Sequence, residues 1–184
     1  MDQKTKEFAE HFQKWIDSYA DDTRLVMALV RDETLPEDVH RLGVGILNYN
    51  LKQLDLIPDF YTPVGLIDDA MIIRVFAKLI DDAIARVNDD RMRKRLHELV
   101  QENKILEEFC GESIYSALRK YVKTQPDRKV RQRDAKIIME NPSIMKEFME
   151  DLETELRGYE GACIDDPENV LKELKSFLKM KLIG

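Results

Sequence analysis

The chain has 184 residues, 43% of them hydrophobic and 35% charged, with a formal net charge of −7. This is enough apolar material for a sizeable core in one domain, or one domain plus a smaller appendage. Seven Gly and six Pro are too few for a turn-rich all-β protein, and the longest clean apolar run, Leu25 to Val30, is far too short to span a membrane.

Hydrophobic spacing is helical almost throughout. Phe8, Phe12, Trp15, Ile16 and Tyr19 share one face, which predicts a first helix over roughly 3–20. Asp21 or Asp22 can cap a second helix carrying Leu25, Val26, Leu29 and Val30. Thr34 followed by Glu37 is a capping-box pattern with Pro36 in the first turn, predicting a third helix over about 35–53. Gly43 and Gly45 lie inside it, and close packing against another helix is the expected reason.

Pro58 and Pro63 hold a non-helical connection, after which Thr62 can cap a helix over 63–87. Its apolar positions Leu66, Ala70, Ile73, Ala77, Ile80, Ile84 and Val87 step by fours and threes, the stripe of a central core helix. Asn88-Asp89-Asp90 opens a further segment, which Gly111 interrupts, and Ile114 to Val122 makes another helix that ends before Pro126. Asn141-Pro142 and Asp166-Pro167 are cap-plus-proline starts for helices at about 142–157 and 167–181. The expected fold is all-α, a multi-helix bundle with a central helical hairpin around an acidic, proline-containing turn. Residues 1–125 form the core, and a helical extension over 126–184 packs on it as one unit.

That turn, Leu54-Asp55-Leu56-Ile57-Pro58-Asp59-Phe60 and then Gly65-Leu66-Ile67-Asp68-Asp69, sets four carboxylates within fifteen residues among strongly apolar neighbours. Carboxylates are rarely buried unless paired, hydrogen-bonded or bound to a cation. On a helical wheel Asp69 falls at the rim of the core stripe and Asp68 toward solvent. Asp69 is therefore expected to accept backbone N–H groups of the turn.

With Tyr49, Asp55, Leu56, Ile57, Pro58, Asp59, Gly65, Asp68 and Asp69 in order and spacing, residues 25–80 resemble the YkvA-like family, a domain of unknown function. Lys52-Gln53 replaces the Ser-Pro of the family pattern. The resemblance implies a helical hairpin built round the acidic turn and carries no activity. Many relatives look membrane-associated. Here Arg41, Asn48, Lys52, Arg74 and Lys78 interrupt the flanking helices, so this member is expected to be soluble.

Several function classes follow from the residues. Asp55, Asp59, Asp68 and Asp69 either hydrogen-bond the turn or hold Mg²⁺ or Ca²⁺, because carboxylates about 4 Å apart repel by roughly 4 kcal/mol at an effective dielectric near 20. No Asp-x-Asp-x-Asp-Gly rhythm is present and no cofactor is expected. The histidines His11, His40 and His97 are scattered, and Gly43-Val44-Gly45 lacks a third glycine and a preceding strand. No catalytic residue is assigned, and the balance leans away from an enzyme.

Residues 91–136 carry a local +6 and residues 137–168 a local −8. This is either an electrostatic match within the fold or a surface for an anionic partner, nucleic acid or membrane, built from Arg91, Arg93, Lys94, Arg95, Arg128, Lys129, Arg131 and Arg133. The reading favoured by elimination is a helical interaction module that docks a protein or self-associates. Cys110 and Cys163 sit in no metal or redox spacing, and Met1-Asp2-Gln3-Lys4 starts no signal peptide, so a cytoplasmic location is expected.

Overall fold

Helices in this chain begin where a short polar side chain can take the first unpaired amides. Asp2 accepts from Thr5 N, Asp89 from Arg91 and Met92 N, Asp134 from Ile137 N, Asn141 from Ser143 and Ile144 N, and Asp166 from Asn169 N. The computed structural model describes residues 2–51, 56–58 and 60–184. Among them the helices are α1 (Gln3–Leu29), α2 (Glu37–Tyr49), α3 (Val64–Leu79), α4 (Asp90–Lys123), α5 (Ala135–Glu140), α6 (Pro142–Arg157) and α7 (Pro167–Leu182). Two 3-10 helices, Asp81–Arg86 and Gln125–Asp127, join them, and no strand occurs among the described residues. The fold is all-α and bundle-like.

The central helix is α3, which packs against α1, α2, α4 and α7. Ala70 to Val75, Phe76 and Ala77 are all buried, so it has hardly any solvent face. One contiguous apolar core draws residues from every α-helix. Gly43 and Gly45 earn their places by close approach. A Cβ on Gly43 would lie 2.8 Å from Val30 Cγ2, and one on Gly45 would lie 2.5 Å from the backbone nitrogen of Pro126. Gly111, at φ +75°, breaks the helical backbone inside α4, as its sequence position predicts.

Several boundaries differ from expectation, among them the start of α3, where Pro63 and not Thr62 holds the N-cap. The first two expected helices are one: Asp22 caps nothing, because its carboxylate turns sideways into the core to meet Ser18, Arg74 and Arg95. The capping box at Thr34 does not form. Pro36 occupies the N-cap, while Thr34 Oγ1 donates to Asp32 Oδ1 or the Arg86 carbonyl. The stripe expected to run helically to residue 87 leaves the α conformation at Ile80, though Ile84 and Val87 stay buried from the following 3-10 turn. Sequence reading also missed α5 and the 3-10 helix at Gln125–Asp127.

Candidate functional site

The turn between α2 and α3 is organised by Tyr49, the last residue of α2. Its buried hydroxyl donates to Asp68 Oδ2 at 2.7 Å and accepts from Leu56 N at 3.2 Å, tying the start of α3 to the connector through one phenol. The chain then folds by Tyr61 N donating to the Pro58 carbonyl (2.9 Å) and Gly65 N to the Tyr61 carbonyl (3.0 Å). Leu56 and Ile57 are buried and Pro58 half-buried. Asp55 and Asp59 lie outside the described residues, as does Lys52.

Asp68 does not face solvent. It is 1% exposed and Asp69 is 5% exposed, because α3 is enclosed on every side and the wheel's polar face is a second buried face. Asp69 lines a cavity of about 260 Å³ between α1, the ends of α2 and α3, and the segment after α6. Its charge, after burial itself, helps push the Tyr159 phenol well above its ordinary range. Among the described residues no group of three or more His, Cys, Asp and Glu side chains has the geometry to hold a metal.

The same enclosure places Asn48 and Arg74, two of the polar residues that interrupt the flanking helices, inside the fold. Asn48 is buried and donates to the Arg133 carbonyl at 2.8 Å, fastening the turn after Val130 to α2. Arg74 is fully buried. It donates from Nε to Glu102 (2.7 Å), from Nη1 to the Ala70 carbonyl (2.9 Å), and from Nη2 to Asp22 (3.1 Å) and Ser18 (3.2 Å). Its guanidinium stacks 4.6 Å from the Trp15 ring. Arg95 reaches the same two acids, at 2.8 and 2.9 Å to Asp22 and 3.1 Å to Glu102.

Burial lowers the pKa of Arg74 despite the two acids beside it. For Arg95 burial acts in the same sense, but the hydrogen bond and charge of Asp22 outweigh it and the pKa rises. Asn103, which donates to the Arg74 carbonyl and accepts from Tyr115, extends this polar network across α4. Sequence reading missed the network. Its one signal was an arginine set between Ile73 and Val75 in the most apolar helix.

The eight basic candidates separate. Arg95 belongs to the buried network. Arg133 pairs with Asp151 (2.6 Å) and Arg131 with Glu155 (3.1 Å), both on α6. Arg93 meets Asp90 and the Val87 carbonyl, and Arg128 lies 5.3 Å over the Tyr121 ring. Arg91, Lys94 and Lys129 are exposed and make no ion pair among the described residues. Lys78 pairs with Asp81, and Arg41 with Asp127.

Three of the four large apolar residues that stand exposed among the described ones gather at one place, the fourth, Ile183, lining a different groove. Phe60 (70% exposed) and Tyr61 (45%) come from the connector, and Met180 (58%) from the end of α7. The Phe60 and Tyr61 rings lie 4.7 Å apart, and Tyr61 lies 5.2 Å from Phe177. Tyr61, Phe177 and Met180 line a groove of about 450 Å³ with Lys172 and Glu173 on its polar edge.

Residues 42–74 match a family described as a protein of unknown function (DUF1232). The match covers the second half of α2, the connector and most of α3, the segment that carries Tyr49, Asp68 and the exposed aromatic pair. No curated protein and no solved structure matches the chain. No helix among the described residues is long and apolar enough to cross a membrane.

Proposed function

We propose that the protein is an interaction module whose docking face is the aromatic end formed by Phe60, Tyr61, Phe177 and Met180. One observation supports this reading above the others: two segments more than a hundred residues apart bring exposed Tyr61 and Met180 to a single groove, with the still more exposed Phe60 packed against Tyr61 beside it. Contiguous exposed apolar surface of this kind is a liability unless something covers it, and aromatic residues are favoured anchors at interfaces. The exposed Lys172 and Lys179 on α7 suit a partner protein whose apolar segment has acidic flanks.

The acidic turn supports that face. In this reading Tyr49 and Asp68 hold the connector so that Phe60 and Tyr61 project from it. Because Asp68 Oδ2 already accepts from Tyr49, we read the turn as hydrogen-bonded scaffolding and not as a Mg²⁺ or Ca²⁺ site. The YkvA-like signature belongs to the same proposal, since the matched residues 42–74 fall within 25–80.

The test places a photo-crosslinking side chain at residue 60, and at exposed Lys146 as a control, in the producing cell. A protein captured only from residue 60, and lost when Tyr61→Ser and Met180→Ser are added, supports the reading. Equal capture from both positions overturns it. Light scattering at matched concentrations separates a second copy of this chain from a different partner.

A further inference from the structure

The aromatic groove has a shape that bears on what fills it. Asn169, Lys172, Glu173, Ser176, Phe177 and Met180 lie on consecutive turns of one face of α7, and Tyr61 of the connector completes the groove. From Asn169 to Met180 this face runs about 16 Å, roughly three helical turns. Ser176 is small and sits four residues from both Lys172 and Met180, so the face is notched at helical spacing.

Two observations narrow the occupant to a helix that carries acid. The first is hydrogen bonding. Asn169 donates to Glu173 at 3.1 Å and Ser176 to the Lys172 carbonyl at 2.8 Å, both within α7, and no strand edge occurs among the described residues. An extended or polyproline segment laid here would bring a row of backbone polar groups to a face with few partners for them, and burying such groups unpaired is costly. A helix arrives with those groups already bonded to one another. Its side chains at i, i+4 and i+7 mesh with the turns of α7.

The second is charge. Over 167–184 four lysines stand against two glutamates, a local +2 on a chain of −7. Lys172, Lys175, Lys179 and Lys181 are all exposed, and Lys172 and Lys179 form no ion pair among the described residues. Glu173, the acid of the groove, accepts from Asn169. Exposed charge of this sign on an otherwise acidic molecule draws an acidic partner and repels a basic one.

We infer that the aromatic end receives an acidic amphipathic helix of about three turns, its apolar stripe set among Tyr61, Phe177 and Met180 and its carboxylates beside Lys172 and Lys179. This occupant presupposes the docking face proposed above, and it gives that face a partner of defined form.

Fluorescence anisotropy of labelled synthetic peptides titrated with the full chain tests this. The probe has about eighteen residues, long enough to be helical in isolation, with leucines at i, i+4, i+7 and i+11, glutamates flanking them and alanines elsewhere. One control carries two central prolines and cannot form the helix, and another has lysine for every glutamate. The acidic helix is expected to bind saturably, with each control weakened about tenfold or more. Lys172→Glu with Lys179→Glu should reverse the order of the acidic and basic peptides. Tyr61→Ser with Met180→Ser should abolish binding of both, each variant keeping the unfolding temperature of the parent. Equal affinity for the proline peptide or the lysine peptide overturns the inference, as does acidic-helix binding that survives Tyr61→Ser with Met180→Ser. No saturable binding up to about 1 mM overturns it too. If a photo-crosslinker at residue 60 still captures a protein in that case, the docking face stands and only the helical partner falls. Sedimentation with phosphatidylglycerol–phosphatidylcholine vesicles, but binding to none of the peptides, assigns the face to a lipid surface and overturns both.

Discussion

Replacing Arg74 with methionine should destabilise the protein by about 2–3 kcal/mol, less than removing one partner of an isolated buried ion pair, which costs about 3–5 kcal/mol. The reduction comes from Arg95. After Arg74→Met, Asp22 is still bound by Arg95 at 2.8 and 2.9 Å and by Ser18 at 2.8 Å, and Glu102 by Arg95 at 3.1 Å. Neither acid is stranded. What is lost is two bonds to the acids, each about 1.5–3 kcal/mol, and the bonds to Ser18 and the Ala70 carbonyl, partly offset by no longer desolvating a guanidinium. Methionine fills much of the vacated volume beside Trp15. The same geometry makes the two arginines interdependent. With both Arg74 and Arg95 changed to methionine, Asp22 at 2% exposure keeps only Ser18, so the double variant should lose about 1–3 kcal/mol more than the sum of the singles. Urea unfolding followed by tryptophan fluorescence reads this directly, because Trp15 is the only tryptophan and Arg74 stacks on it. A neutral or stabilising Arg74→Met, or additivity between the two arginines, would refute the shared-acid reasoning.

Tyr49→Phe removes the acceptor of Leu56 N and the donor to Asp68 together, so a loss of about 2–3 kcal/mol is expected, with faster amide exchange at Leu56; a change under about 0.5 kcal/mol would show that the turn does not depend on the phenol. Gly45→Ala should cost about 1–3 kcal/mol by driving its Cβ into the Pro126 backbone, measured as a lowered urea midpoint, whereas a surface change such as Lys146→Ala should leave the midpoint unchanged. Burial pushes the Cys110 thiol up to about 12 from 9.0, while Cys163 is exposed, so a thiol reagent at pH 8 should titrate one group rapidly and the second only as fast as the protein opens. Because the folded state holds the Cys110 proton more tightly, this stabilisation is intact below pH 9 and is lost as pH rises from there toward 12; Cys110→Ala should flatten the fall of unfolding temperature over that window.

The helices that sequence reading located best are those whose starts are decided locally. Asn141-Pro142 and Asp166-Pro167 each place an acceptor side chain before a residue that needs no amide donor, and α6 and α7 begin there. Local rules failed where a tertiary partner competed for the same side chain. Asp22 is a good cap in isolation, yet Arg74 and Arg95 reach it across two other helices and α1 runs on. The wheel failed for α3 for a related reason. It assigns one face to water, whereas α3 is surrounded, so Asp68 and Arg74 are polar residues of a second buried face. The acidic turn was visible as a segment, but the residue that organises it, Tyr49, stood in the reading only as a matching position. The cavity beside Asp69 depends on Tyr159 and Glu160, ninety residues downstream, which no local pattern links to the turn.

Segment charge and surface charge are different quantities here, and the difference bears on which partners the molecule can attract. Residues 91–136 carry +6, but Arg95 is consumed by Asp22 and Glu102 in the interior, and Arg131 and Arg133 by Asp151 and Glu155 on α6. The pairings with Asp22, Asp151 and Glu155 set acidic groups from outside 91–136 beside its basic groups, so the long-range field that would steer a polyanion is weaker than the segment count suggests. Arg91, Lys94 and Lys129 remain exposed, on a chain whose net charge is −7. At the aromatic end, by contrast, Phe60 stands 70% exposed. Arg95, Arg131 and Arg133 are engaged within the molecule whereas Phe60, Tyr61 and Met180 stand exposed, which is the ground for proposing an apolar docking face over a polyanion surface.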